Sequence, residues 1–416
     1  MSFTPQYHQD ELQIDGVAVT ELAKVYGTPF YVYSAASIDQ TCEQLMTHHQ
    51  SSPPILPCYA VKANSNLSIL RRIRAHGFGA DVVSMGELER ALRADFQPER
   101  IVYSGVGKTP AEMERALTAG ILAFNVESPF ELLMLAEVAQ RLRIKAPVSM
   151  RVNPNIDART HPKISTGLHS TKFGMSEVVV REQMLQFQHH PWLQFVGISC
   201  HIGSQILTLE PLLAATDAMR QLFIQLRGQG FPLRLLDLGG GLGVGYQGEA
   251  APTPKDWVDA VLQQVRTIPN CQVILEPGRC VVAESGLLIT KVLGLKVTGQ
   301  HEFVIVDAAM TELLRPSLYD AYHPIGPVKR ESGAAQRQMD VVGPVCETGD
   351  FLALSRALAL PKAGDFLYIA CAGAYGMSMS SNYNSRPSVP EVLVVDGNHQ
   401  LIRRRQELSD LWRLEE

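Results

Sequence analysis

Pro57-Cys58-Tyr59-Ala60-Val61-Lys62-Ala63-Asn64 reads as a short buried strand that ends in a lysine. Tyr59 and Val61 favour extended structure. Asn64, Ser65 and Asn66 stop the strand and supply a cap for a helix starting near Leu67. A lysine in this place is either solvated at a loop mouth or held in a pocket as a Schiff-base nucleophile. The stretch by itself leaves both open.

Outward from it the same unit recurs. Apolar strand candidates are Ile55–Ala63, Gly79–Ser84, Ile101–Gly105, Leu122–Glu127, Val148–Asn153, Phe195–Ile202, Leu235–Gly239 and Val273–Glu276, with helical patterns between them. Leu213, Thr216, Met219, Leu222, Phe223 and Leu226 recur at helical spacing, as do Trp257, Val261, Leu262 and Val265. Strand–helix alternation predicts a parallel sheet with helices outside. Eight units in ~250 residues is the size of a closed (β/α)8 barrel, with a doubly wound open sheet as the second reading. From Gly286 the pattern changes. Leu287–Val297, Phe303–Asp307, Phe351–Leu354, Phe366–Ala370 and Glu391–Val395 predict a mostly antiparallel β domain. The strand-like Thr28–Tyr33 is too short to fold alone and is expected to join it. The expected division is a barrel over 32–280 and a β domain from 1–31 and 281–416.

A chain of 416 residues suits two domains, and 46% apolar residues supply a large core. A net charge of −5, from 37 basic and 42 acidic residues, argues against nucleic-acid binding. Arg403-Arg404-Arg405 reads as a solvated or salt-bridged strand end. No apolar run reaches membrane-spanning length and no secretory signal is visible, so a cytoplasmic protein is expected. Seven scattered cysteines without a CxxC pair fit free thiols in a reducing compartment.

Barrel enzymes carry their chemistry at the carboxyl ends of the strands. Here that rim holds Lys62, Arg151, Asn153, His201-Ile202-Gly203-Ser204, Asp237-Leu238-Gly239-Gly240-Gly241-Leu242-Gly243 and Glu276-Pro277-Gly278-Arg279. The glycine run is either a tight loop or a phosphate cradle, since glycines let backbone N–H groups approach an anion. The formal GxGxxG of Gly243, Gly245 and Gly248 is discounted. No strand directly precedes it, and Pro252 and Pro254 follow where a helix should start. His201 is either a core histidine or a ring that stacks on an aromatic ligand; no second ligand nearby suggests a metal. A buried Glu276 suits a protonated pyridine nitrogen. Amine, phosphate cradle and carboxylate together describe pyridoxal phosphate.

Tyr59–Asn64, His201-Ile202-Gly203-Ser204-Gln205, Gly239–Gly243 and Glu276–Arg279 resemble the motifs of the alanine-racemase-fold decarboxylases. Further matches narrow the resemblance to the diaminopimelate decarboxylase family. They are His161-Pro162 through Ser165-Thr166-Gly167 to Lys172-Phe173-Gly174, Leu314–Tyr319, Gly343–Asp350 and Gly373–Met377. The resemblance covers nearly the whole chain.

It implies pyridoxal phosphate on Lys62, with His201 stacked on the ring and Glu276 at the ring nitrogen. Ser204, Gly240 and the Gly278-Arg279 backbone would hold the phosphate, and Asp81, Gly239 and Tyr375 complete the implied cofactor set. Arg279, Arg315 and Tyr319 would bind substrate carboxylates. Glu347 would receive the distal ammonium, Tyr375 would touch substrate too, and Cys346 would protonate the carbanion. Two arginines suit a substrate with more than one carboxylate.

The implied reaction turns meso-2,6-diaminopimelate into L-lysine and carbon dioxide, the last step of lysine biosynthesis. The implied assembly is a homodimer with Cys346 and Glu347 supplied across the interface. Alternatives are a decarboxylase of another basic amino acid or a racemase of the same fold. Met85, Ala309, Thr311 and Ser388 depart from the family pattern, and none touches the implied chemistry directly.

Overall fold

The computed structural model describes residues 6–157, 172–331, 333 and 335–416. The chain divides into two compact units: residues 41–243 with 250–280, and residues 1–40 with 244–249 and 281–416.

The first unit is a closed barrel of eight parallel strands. In chain order they are Ile55–Ala60, Gly79–Val82, Ile101–Tyr103, Ala123–Val126, Ala146–Arg151, Leu193–Ser199, Leu235–Asp237 and Gln272–Leu275. All eight expected strands are present, each shorter than predicted at its carboxyl end. The open-sheet reading is excluded because the eighth strand pairs with the first, with Val273 beside Ile55 and Leu275 beside Pro57. Leu56, Cys58, Val102, Ala123, Val196, Leu235 and Ile274 form one buried cluster in this unit.

Local sequence sets where the helices begin. Ser84, Thr109, Ser128, Ser176 and Thr253 each accept a hydrogen bond from the backbone N–H three residues on. Asn66 caps Leu67–Ala75 by accepting from the Ser68 N–H. The helix Glu210–Gly228 buries Leu212, Ala215, Thr216, Met219, Leu222, Phe223 and Leu226, so the buried stripe starts at Leu212 rather than Leu213. The expected helix of Trp257, Val261, Leu262 and Val265 begins at Pro254, which the first helical turn accepts because it has no use for the missing N–H. It starts beyond Gly248, with Thr253 as its cap.

The second unit is built on a nine-stranded sheet. Its main path runs Phe351–Ala359, Gln336–Val342, His301–Val306, Gly286–Thr298, Phe30–Ser34, Glu391–Val395, Asn398–Arg403. Ile325–Pro327 and Phe366–Ile369 branch from Gly286–Thr298. The amino-terminal strand does join this sheet: Phe30–Tyr33 pairs antiparallel with Gly286–Ile289, and Tyr31–Ser34 pairs parallel with Glu391–Val394. A three-stranded sheet, Gln6–His8, Glu11–Ile14 and Val17–Ala18, lies in the same unit. The arginine run is bridged: Arg403 pairs with Glu391, and Arg404 Nη2 is 2.9 Å from Asp410 Oδ1.

Candidate active site

The first barrel strand ends at Ala60, and Lys62 sits on a single 3-10 turn, Val61–Ala63, just past it. The strand stops early because the Ala60 N–H donates to the Pro277 carbonyl, which ties the strand end to the loop after the eighth strand. Lys62 Nζ is 2.7 Å from Asp81 Oδ2, and the Asp81 side chain is fully buried. Asp81 lies on the second strand, opposite Ala60 in register. A buried anion thus holds a lysine whose side chain is 37% exposed, so the amine is fixed while still reachable.

The glycine run follows the seventh strand. Gly240 N–H donates to His201 Nδ1 at 3.1 Å, and Glu276 N–H donates to the Gly239 carbonyl at 2.7 Å. A Cβ on Gly240 would strike the Glu276 carbonyl oxygen, so only glycine lets the two loops close on each other. His201 therefore accepts at Nδ1, which leaves its proton on Nε2. Burial, then the charges of Lys62 and Arg151, push the imidazole well below its usual range. A neutral ring results, suited to stacking rather than to proton transfer.

Gly278 lies against the Cβ atoms of Ala60 and Ala63, on either side of the lysine turn. Arg279 follows, and its guanidinium donates to Ser204 Oγ at 3.1 Å. Glu276 is 7% exposed and its carboxyl is pushed well above the usual range, by burial first and then by Asp237 and Asp81. Lys62, Asp81, His201, Ser204, Gly239, Gly240, Glu276, Gly278 and Arg279 all belong to this one unit.

This donor set fits pyridoxal phosphate. It has a primary amine for the aldehyde and a neutral imidazole for the ring face. A buried carboxyl suits the ring nitrogen, and a hydroxyl beside a guanidinium suits a phosphate dianion.

The second unit carries the other expected residues. Arg315 and Tyr319 lie one turn apart on the short helix Arg315–Tyr319. Arg315 is buried, its guanidinium 2.8 Å from His323 Nε2 and 4.8 Å from the centre of the Tyr246 ring. His323 Nδ1 donates to the Ala370 carbonyl at 2.9 Å, five residues before Tyr375. Ser317 Oγ, on the same helix, donates to the Gly349 carbonyl at 2.6 Å and ties the helix to the loop of Cys346 and Glu347. That loop is pinned by buried Asp350, whose oxygens accept from Met310 and Val345 N–H groups at 2.6 and 2.7 Å. Cys346 and Glu347 stand exposed at its tip. Tyr375 is half-buried with a left-handed φ of 56°. The motif portion His161–Gly167 lies outside the described residues.

Asn125, Asp237, Lys108 with Glu131, His323 and Tyr246 carry no role that the sequence motifs imply. Asn125 and Asp237 were within reach of the strand-end rule, since both are polar residues at or near barrel strand ends. Tyr246 was hidden in the GxGxxG segment, of which residues 244–249 belong to the second unit.

Residues 36–283 match the family described as "Pyridoxal-dependent decarboxylase, pyridoxal binding domain". The chain is 47% identical over 411 residues to the diaminopimelate decarboxylase of Vibrio cholerae, covering 98% of each chain. Among solved structures it is similar to diaminopimelate decarboxylase of Helicobacter pylori complexed with L-lysine, at 44% identity and a TM-score of 0.91, over 95% of this chain and 99% of that one. It is similar also to the M. jannaschii enzyme in complex with L-lysine, at 35% identity and a TM-score of 0.93, over 99% of this chain and 97% of the other.

Proposed function

Because this chain belongs to the diaminopimelate decarboxylase family, we propose that it converts meso-2,6-diaminopimelate to L-lysine and carbon dioxide, the last step of lysine biosynthesis. It is a pyridoxal-phosphate-dependent carboxy-lyase. The observation that carries this reading is the Lys62–Asp81 pair at the barrel rim, in one unit with neutral His201 and the carboxyl of Glu276.

The cofactor, when bound, supplies an aromatic ring that accepts negative charge from the amino-acid α carbon as carbon dioxide leaves. The chain's residues do the rest. Asp81 holds the Lys62 amine in place for the aldehyde. His201 would offer its ring face to the cofactor, and Glu276 would pair with its ring nitrogen. Ser204 and the Gly278-Arg279 backbone would hold the phosphate, with Gly240 leaving room beside them. Arg279, Arg315 and Tyr319 bind carboxylates, so that the retained carboxylate stays anchored while the other departs. Glu347 receives the distal ammonium. Tyr375 would contact cofactor and substrate. Cys346 Sγ delivers the proton that replaces the lost carboxylate.

We further propose a homodimer in which Cys346 and Glu347 serve the partner's barrel. Both are exposed on this chain, and an ion pair in water has little worth; a partner surface would close them in. A cytoplasmic setting fits the seven free thiols, and no helix among the described residues is long and apolar enough to cross a membrane.

The test is carbon dioxide release by purified protein supplied with diaminopimelate, ornithine, arginine or lysine. Diaminopimelate should be used well ahead of the rest. Lys62→Ala should abolish the yellow colour and slow turnover by more than ~100-fold, about 2.7 kcal/mol of barrier. Faster release from ornithine or lysine, or a Lys62→Ala protein that stays yellow, overturns the assignment.

A further inference from the structure

A second carboxylate stands behind Glu276, and the proposed roles leave it unused. Asp237 ends the seventh barrel strand and is 1% exposed, against 7% for Glu276. The deeper group is therefore Asp237. Its Oδ1 accepts the Gly239 N–H at 3.0 Å, which fixes the carboxylate at the start of the glycine run. Its Oδ2 accepts from Asn125 Nδ2 at 2.9 Å. The same nitrogen is 3.3 Å from Glu276 Oε1 and 3.1 Å from Ser104 Oγ. Asn125 is 2% exposed and comes from the fourth strand, across the barrel. Its Oδ1 is buried without a partner. The amide therefore acts here only as a donor, in the orientation that two facing acceptors demand.

The Asp237 and Glu276 carboxyls thus face a single amide nitrogen. Carboxylates are acceptors only, so that nitrogen gives two like charges little relief unless one of them carries a proton. The other charges acting on the pair are Asp81 and Lys62; the pair in turn acts on the buried thiols of Cys58 and Cys200, the second of which also feels Arg151. Asp81 is already paired with Lys62. Arg151 is bonded to Glu127 at 2.8 Å. Burial pushes both thiols upward, so they bring no charge of their own at neutral pH. Two adjacent anions would then stand in a dry barrel without a cation of their own, which is costly unless one of them is neutralised. Burial raises both groups, but Asp237 accepts the Gly239 N–H at 3.0 Å and the shorter bond from Asn125, 2.9 Å against 3.3 Å to Glu276, which keeps the charge on Asp237 and the proton on Glu276.

We propose that Asp237 and Glu276, bridged by Asn125, hold one proton between them in the cofactor-free chain, and that Asp237 is the positioning residue that keeps this proton on Glu276. This rests on the reading of Glu276 as the partner of the ring nitrogen. The Glu276 O–H bond breaks as an N–H bond forms on that nitrogen, and Glu276 is left as carboxylate. No proton from solvent is needed and no electrons change hands. The Asp237 charge behind the new carboxylate then disfavours loss of the proton from the nitrogen.

The test compares the full chain with Asp237→Asn and Glu276→Gln, using pyridoxal phosphate as probe. In the cofactor-free protein at neutral pH, the infrared difference between wild type and Glu276→Gln should contain a protonated carboxyl band. A pure carboxylate signal overturns the proposal, and this measurement stands even if Asp237→Asn does not fold. In Asp237→Asn, Glu276 should lose its proton at lower pH, so cofactor binding must draw one from solvent. Its Kd relative to wild type should then rise by up to about tenfold per pH unit on the alkaline side. A merely structural loss would weaken binding equally at every pH, and a flat ratio overturns the proposal. If Glu276→Gln leaves both the affinity and the absorption band of the bound cofactor unchanged, the ring-nitrogen reading of Glu276 has failed. If Glu276→Gln alters both and Asp237→Asn alters neither, the role of Asp237 alone has failed.

Discussion

Lys108→Met should be among the most damaging single changes in the barrel, because of what it leaves behind. Lys108 and Glu131 are each 1% exposed as side chains and 2.6 Å apart. All three ammonium protons are used: one on Glu131, and one each on the carbonyls of Gly105 and Asn125, both at 2.8 Å. Glu131 in turn accepts the Glu127 N–H at 2.8 Å. Glu127 binds the Gly105 N–H at 2.7 Å and Arg151 at 2.8 Å. Removing one member of a buried pair strands the other charge, and costs about 3–5 kcal/mol.

The two orphaned carbonyls, at about 1 kcal/mol each, belong to the same local loss and are not added to it. The double variant Lys108→Met/Glu131→Gln removes both charges and keeps an acceptor for the Glu127 N–H. It should therefore recover about 2 kcal/mol of the single variant's loss. Burial already holds the Glu131 carboxyl above its ordinary range despite Lys108. Without Lys108 it rises further, and a raised acid contributes stability that fades as pH rises through the folded value. The penalty should accordingly be smaller at acid pH than at alkaline pH. Equilibrium urea unfolding followed by far-UV circular dichroism measures all three proteins. A loss under about 1 kcal/mol at alkaline pH, or a double variant less stable than the single, would refute the reasoning.

Three further outcomes are expected. Glu347→Gln should lower kcat/KM on diaminopimelate by the worth of one charge-assisted bond, about 1.5–3 kcal/mol, with cofactor affinity unchanged; equal kcat/KM would remove Glu347 from substrate recognition. Mixing Lys62→Ala with Cys346→Ala protein should restore about a quarter of the parent activity, since half of a random mix is heterodimer and one of its two sites regains both residues. No recovery, with subunit exchange shown independently, would place both residues of a working site in one chain. Glu87, whose carboxylate accepts the Val83 N–H at 2.8 Å, is raised by burial to about 7. Wild type should lose stability relative to Glu87→Gln as pH climbs from about 4.5 through about 7, by at most about 3 kcal/mol at 1.36 kcal/mol per unit. The urea midpoints of the two proteins at several pH values test this, and a constant gap between them is the contrary result.

By itself the sequence determined the features that depend on neighbours in the chain. Eight apolar runs of strand length, separated by helical spacing and by Ser or Thr caps, define the barrel's parts. Lys62 at a strand end, the Gly239–Gly243 run and Glu276-Pro277-Gly278-Arg279 define the rim, because rim chemistry sits where strands stop. The strand Thr28–Tyr33 announced that it needed a partner elsewhere, and Gly286–Ile289 supplied one.

Three things were decided only by tertiary structure. One is closure: eight strands allow a barrel, but only the pairing of Val273 with Ile55 makes one. Another is the polar strand Gln336–Val342, exposed along Gln336–Gln338, which is a strand because its backbone pairs with Phe351–Ala359 and His301–Val306. Nothing in its side chains required that, since ladder hydrogen bonds are blind to hydrophobic pattern. The last is the polar interior. Asn125 meets Asp237 and Glu276 across 112 and 151 residues of chain. Periodicity reports which residues are buried, but a buried amide or acid is stable only through partners that the closing of the barrel brings to it.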